Sequence, residues 1–547
     1  MNPLITVYPA RRIHTMDPSL PEANAIAVRG DRIVEVGTLE SLRPWLDAHE
    51  HHVDDQFAEA VILPGLIDPH VHPSMMAMLM ATEWITPEAW DLPGREIPAT
   101  VGRDSYLARL AEIEDAHPSG RPLVSFGWHR QFHGEVVRAD LDALSTARPI
   151  LVWGRSFHEI CCNVAGLELV EAAEGAAWDP HIDLETGRMW ESGMAWALQR
   201  LRPLLLDEGR YEVLMEEVAQ MVHRGGVTTI ADAGFGGMAL PDRELEVLAK
   251  VHEGDQVPFR QYLIPQVATF KRVYGAEAED RIAGLPEHSS ERIRFLRAGK
   301  FFADGAFIAQ LMQLGEPGYI DGHEGAWMAE PDRLVQQLRP TWEAGRQVNV
   351  HVNGDLGVDA TLDAIAQLIA ETPRFDHRTV LHHFGVSTQA QSRRAAALGC
   401  AVQANGYYLR FFGDQFAAEG LGSERASQMT RVGSARRNGM SVALHSDLPM
   451  GPLEPLLAAS VMATRLSQSG VVLGEHERLS PYDAIAAVTI EPAWQLFLDH
   501  EIGSLAAGKL ADATVIDGDP FAMDPAHWPD IGIEATMLSG RVYPISQ

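Results

Sequence analysis

The chain has 547 residues, and 44 Lys and Arg against 75 Asp and Glu give a formal net charge of −31. A surface that acidic repels nucleic acid and anionic lipid. A hydrophobic content of 46% with 22% charged residues excludes a disordered or collagen-like chain, and the length fits one large enzyme-sized domain with additions. No stretch approaches the roughly 18 uninterrupted apolar residues of a membrane helix, and the start MNPLITVYPARRIHTMD has no apolar signal core ahead of its arginines. A soluble, unexported protein is expected. Three cysteines, two of them the neighbours Cys161 and Cys162, are too few for a disulfide framework, so they read as core packing in a reducing cytoplasm.

In chain order, NAIAVRGDRIVEVG alternates apolar and polar residues on both sides of Gly30-Asp31, which predicts a β-hairpin. From about residue 60 the strands become short, almost continuously apolar runs, as in a parallel sheet buried on both faces. Eight runs can be counted, at 62–72, 227–233, 260–264, 299–304, 347–352, 379–384, 400–405 and 441–447, and eight implies a closed barrel. Between them, DATLDAIAQLIAE (359–371) places Leu362, Ile365, Leu368 and Ile369 at helical spacing, so crossover helices can connect the strands. Residues 75–225 interrupt this rhythm where an ordinary crossover needs about a dozen residues. That segment reads as an inserted, folded subdomain, since it contains the apolar runs LVSFGW (123–128) and ILVWG (150–154). The C-terminal GSLAAGKLADATVIDGDPF is turn, strand and turn, too short to stand alone, and is expected to join the N-terminal strands. The expected division is 1–61 with 495–547 as one β domain, and 62–494 as the barrel domain.

In DPHVHP, His70 and His72 are two apart, and i and i+2 on a strand point to one side, so both imidazoles can reach one metal ion. With 23 histidines one such pair is expected by chance, so its placement gives it weight: it ends the first barrel strand, where barrel enzymes carry their catalytic groups. Further donors end later runs, namely His351, His382-His383 and Asp447. Nitrogen and oxygen donors without cysteine suit Zn²⁺ or a neighbouring divalent transition ion. Lys300, at the end of another run, would repel a metal as an ammonium and must be neutral or modified there. Asp304, in the ADG turn that follows, reads as a turn or supporting residue.

The stretches VILPGLIDPHVHP, GKFFADGAF, HVNGDLGVDATLDAI, HRTVLHHFGV, ALHSDLP and GSLAAGKLADATVIDGDP together resemble the amidohydrolase superfamily, most closely its branch of N-substituted formamide deformylase-like proteins. The resemblance spans nearly the whole chain. It implies a distorted (β/α)8 barrel of TIM type, with a small β-sandwich built from both chain ends and a large insertion after the first barrel strand. It also implies that His70, His72, His351, His383 and Asp447 are metal ligands and that Lys300 is carbamylated, its two oxygens bridging two divalent ions, zinc first among them. Two positions depart from the family pattern. Its usual glutamate is replaced in Leu381-His382-His383, which leaves the choice between the two histidines open, and Gly-Ser-Asp becomes His445-Ser446-Asp447, which adds an imidazole facing substrate or metal.

The expected function is a metal-dependent amidohydrolase that cleaves a non-peptide, amide-type carbon–nitrogen bond of a small organic substrate by attack of a metal-bound hydroxide, with Asp447 as proton shuttle. The alternatives are a mononuclear deaminase, an ester or cyclic-amide hydrolase on the same barrel, and a binding protein without chemistry. The last is disfavoured because a full set of strand-end donors costs stability unless metal occupies it. NGYYLRFF (405–412) follows the seventh strand, so Tyr407 is a candidate contact for an aromatic or apolar substrate group, as are His445 and, from the insertion, Trp128 and His158. Met75, Met76, Met78 and Met80 read chiefly as core filler. The expected partner is a small molecule, without nucleic acid or membrane, and a homo-oligomer is compatible with the sequence.

Overall fold

A computed structural model describes residues 4–207 and 209–545. The chain divides into two compact units, one of residues 1–72, 219–304 and 313–547, the other of residues 73–218 and 305–312.

In the first unit, strands from both ends of the chain form one sheet. Its order is Arg541–Pro544, Ile533–Leu538, Ala513–Ile516, Val61–Pro64, Ile5–His14, Glu22–Arg29 and Arg32–Gly37, with His51–Val53 beside Ile5–His14. The expected hairpin is present: Glu22–Arg29 and Arg32–Gly37 are antiparallel around Gly30, whose φ of 63° is the conformation a two-residue turn asks of glycine. The alternation separates two faces. Ile13, Ile26, Val28, Ile62, Val515 and Met537 pack on one, while Ile5, Val7, Ala25 and Ala27 pack with Leu42 and Leu46 of the helix Leu39–Leu46 on the other.

The remaining strands of this unit are parallel and short, in an α/β fold of the TIM-barrel type. Leu66–Val71, Val227–Phe235, Arg260–Pro265 and Ile293–Phe295 form one sheet, and Ala298–Phe302, Gln347–Val352, Val380–His383, Ala401–Asn405 and Val442–His445 form the other. A parallel bridge from Gln266 to Lys300 links them at one side, and Asp447 N–H donates to the His70 carbonyl at 3.0 Å at the other. The helix Asp355–Glu371 buries Leu362, Ile365 and Leu368, as its spacing predicts.

Two details differ from the sequence reading. The run expected as one strand over 62–72 divides at Gly65: Val61–Pro64 pairs antiparallel with Ala513–Ile516, and Leu66–Val71 pairs parallel with Val227–Phe235. A Cβ on Gly65 would sit 2.1 Å from Thr228 Oγ1, so only glycine lets the chain pass from one sheet to the other there. Ile293–Phe295 is an added strand, whose three residues are too few to carry a pattern.

The second unit has its own sheet, in the order Arg188–Trp190, Glu159–Cys162, Ile150–Gly154, Leu123–Trp128 and Glu83–Trp84. The two apolar runs seen in the sequence pair in parallel there, and Leu123–Trp128 also pairs in parallel with Glu83–Trp84. Tyr106, Leu110, Leu123, Trp128, Ile150 and Val152 fill its core together with Cys161. Met76, Met78 and Met80 are buried on the helix Pro73–Met80, and all three cysteines are free and buried. Among the described residues, no helix is long and apolar enough to cross a membrane.

Candidate metal centre

The parallel register decides which side chains share a face. Lys300 stands opposite Asn349, His351 opposite His382, His382 opposite Gln403, and Asn405 opposite His445. Residues in register on parallel strands point the same way, as do i and i+2 along one strand, so all seven line one face. By that alternation His383 would point away. Its φ of 71°, followed by 49° at Phe384, takes the backbone out of the strand, and its ring lies 4.5 Å from that of His351, 4.9 Å from His70 and 5.1 Å from His445. Asp447 also has a positive φ, 56°. Non-glycine residues in this region cost on the order of 1–3 kcal/mol each and cluster where geometry serves function.

Two groups of donors converge. His70, His383 and His445 each offer a ligand atom within 4.8 Å of the others, and so do His70, His72 and Asp447. Asp447 Oδ1 lies 3.2 Å from His72 Nε2 and 3.6 Å from His70 Nε2, and Oδ2 lies 3.8 Å from His383 Nδ1. Lys300 Nζ is 2.6 Å from His382 Nδ1 and 3.4 Å from His70 Nε2. His382 Nε2 faces Asn349 Oδ1 at 3.2 Å, so both its ring nitrogens are engaged within the barrel strands. His351 Nε2 meets Asn353 Nδ2 at 2.9 Å, and the Tyr408 hydroxyl lies 3.4 Å from His383 Nδ1.

Burial dominates the electrostatics. It brings the Lys300 ammonium down to about 7, against the opposing pull of Asp447 and Asp232. Burial, reinforced by Lys300 and the other imidazoles, holds His70 and His382 well below the usual imidazole range. For His72 burial acts in the same direction, but hydrogen bonds and charge from Asp232 and Asp447 outweigh it and raise the ring to about 9. The site is therefore built of imidazoles that burial holds neutral, His72 being the exception, around one carboxylate, and among the described residues His70 Nδ1 is buried without a hydrogen-bond partner. A borderline divalent ion is bound by neutral imidazole nitrogen and carboxylate oxygen, so these residues fit such an ion.

Several supporting residues escaped the sequence reading. Asp232, at the end of Val227–Phe235, faces His72 Nδ1 at 3.6 Å; its signal was an acid closing an apolar run. Asp68 accepts from His70 N–H at 3.2 Å and Ser446 N–H at 3.1 Å, tying the two donor strands together, and burial raises its carboxyl to about 7. Asp304 has the supporting place expected of it: it accepts backbone N–H groups of Asn353, Gly354 and Gln313 at 2.8, 2.8 and 3.0 Å, fixing the turn after His351.

Of the candidate substrate contacts, His445 lies in the cluster. Tyr407 is fully buried and its hydroxyl donates to the Glu454 carbonyl at 2.9 Å, while its neighbour Tyr408 is the one beside His383. Trp128 and His158 belong to the second unit. Trp128 packs in that unit's core with Nε1 donating to the Gly134 carbonyl at 3.0 Å, and His158 Nδ1 pairs with Glu191 at 3.2 Å.

The chain is 26% identical over 548 residues to the putative amidohydrolase YtcJ of Bacillus subtilis (strain 168), covering 97% of each chain. It is 23% identical to the N-substituted formamide deformylase of Arthrobacter pascens, covering 96% of each. Among solved structures, an uncharacterized metal-dependent hydrolase from Pyrococcus horikoshii OT3 shares the fold with a TM-score of 0.73 at 19% identity, over 96% of this chain and 99% of that one. The sequence profile described as the amidohydrolase family matches residues 58–544, so this chain belongs to the amidohydrolase family.

Proposed function

We propose that this chain is a metal-dependent hydrolase that cleaves a non-peptide, amide-type carbon–nitrogen bond of a small organic molecule. The observation that carries the reading is the convergence of His70, His72 and Asp447 at the ends of two strands far apart in sequence, within 4.8 Å of one another. Membership of the amidohydrolase family and the similarity to a formamide deformylase favour the amide over other bonds. In this reading the parallel strands close as a distorted (β/α)8 barrel to which Ile293–Phe295 is an addition, with the terminal sheet as a sandwich beside it.

In this reading His70, His72, His351, His383 and Asp447 would hold two divalent ions, zinc first among them, and a carbamylated Lys300 would supply further oxygen donors to them. Lys300 is fit for that modification because burial brings it to about 7, where an appreciable fraction is free amine. The amine nitrogen bonds to the carbon of CO2 and loses a proton, giving an anionic carbamate with two oxygen donors. His383, not His382, is the ligand, because His382 has both nitrogens committed to Lys300 and Asn349. When bound, the ions lower the pKa of a water molecule and polarise the carbonyl. Asp447 takes the proton of the attacking water and returns it to the leaving nitrogen. Asp68 and Asp232 hold the strand ends and the His72 ring in place for this.

A second reading, a mononuclear deaminase, is favoured by one observation. Lys300 Nζ lies against His382 Nδ1 at 2.6 Å, a contact that an unmodified lysine makes. Assay of N-formyl and N-acyl amines before and after chelation separates the readings. Chelator-sensitive release of amine and carboxylic acid supports the amidohydrolase, whereas release of ammonia from heterocyclic amines, with the acyl panel inert, supports the deaminase.

A further inference from the structure

We propose that His445 is itself a metal ligand and completes, with His70 and His383, a three-imidazole seat for one divalent transition ion. This rests on the metal-dependent reading above and adds to it a donor from the end of the strand Val442–His445. The three rings are buried, and one nitrogen from each lies within 4.8 Å of the other two. The His445 ring lies parallel to His70, with centroids 4.6 Å apart and planes 22° apart, and turns its edge to His383 at 5.1 Å and 68°.

His445 is 1% exposed, yet neither ring nitrogen has a hydrogen-bond partner. Packing alone does not account for an imidazole there, since a buried polar ring without partners is worse than an apolar one of the same size. A neutral imidazole with a free lone pair beside two others is what a nitrogen-ligated ion requires. The two donor groups both include His70, whose neutral ring has a single free lone pair, so in this inference His70 serves the seat it shares with His383 and His445. That seat is rich in imidazole nitrogen and favours zinc, cobalt, nickel or copper over manganese or magnesium, while the neighbouring one carries the Asp447 carboxylate and is less selective.

The test uses the full-length protein, stripped with a chelator and titrated with cobalt(II), for wild type, His445→Gln and His445→Phe. The readouts are visible absorption and X-ray absorption at the cobalt edge. The wild type is expected to fit at least three imidazoles around one ion. Each variant should lose one imidazole from that fit and weaken cobalt binding at one seat by more than the roughly 10–100-fold that loss of a supporting hydrogen bond costs. Unchanged affinity and spectrum in both variants would overturn the proposal. Should the variants fail to fold, a wild-type fit with fewer than three imidazoles on every ion overturns it equally. A wild type that binds no cobalt removes the metal-dependent reading itself, and this inference with it.

Discussion

Lys300 Nζ and His382 Nδ1 lie 2.6 Å apart, both fully buried. Two groups that gain positive charge on protonation cannot both carry it at that distance in a dry interior. At least one is neutral, and a neutral Lys300 beside His70 is chemically ready for modification. Lys300→Ala should therefore lose metal and most of the activity, and short carboxylic acids should restore part of both by supplying the missing oxygens. A variant with wild-type metal content and rate makes Lys300 a structural lysine.

The neighbouring histidines should separate cleanly. His383 reaches His351, His70 and His445 because its backbone leaves the strand, while His382 stays in register with His351 and Gln403. His383→Ala should lose bound metal as measured by elemental analysis. His382→Ala should keep most of it. The reverse pattern would assign the ligand to His382.

Asp447 has one oxygen on the His72 side and the other toward His383. Asp447→Asn keeps the size and one oxygen donor but removes the base. The fall in kcat should be about 10²–10⁴-fold, the usual contribution of a positioned acid–base group, with KM changing far less. An effect confined to KM would make Asp447 a substrate-binding residue.

Asp304 tests the scaffold separately. Its carboxylate accepts three backbone N–H groups in the turn after His351, and Asp304→Ala leaves them buried without acceptors. Each such loss costs about 1–3 kcal/mol. The denaturation midpoint should fall substantially in chelator-stripped protein too, where no metal contributes. An unchanged midpoint would mean that the turn is held by other contacts.

The sequence made the strand-end donors legible because each closes an apolar run: His70 and His72, His351, and Asp447. The parallel strands were legible for the same reason. What it hid were features set by backbone conformation and by distant pairing. The strand alternation favours His382 over His383 as the inward residue, and only the φ of 71° at His383 brings that ring into the cluster. The Pro64-Gly65 pair marks the break in the first run, but the change of sheet it makes depends on where Thr228 comes to lie. Residues 305–312 belong with the second unit although they are far from it in sequence, and there the Ile308 carbonyl meets His129 Nε2 at 3.2 Å. Asp232 looked like an ordinary strand end until the structure set it beside His72.

In the proposed centre, His70, His72, His351, His383, Lys300 and Asp447 hold two divalent ions that activity requires. The most direct measurement is elemental analysis of the purified, active protein, followed by chelation and stepwise return of zinc with activity recorded at each addition. The account predicts about two ions per chain, loss of activity on chelation, and full recovery only as the second equivalent is added. Full activity at one equivalent or fewer would contradict it.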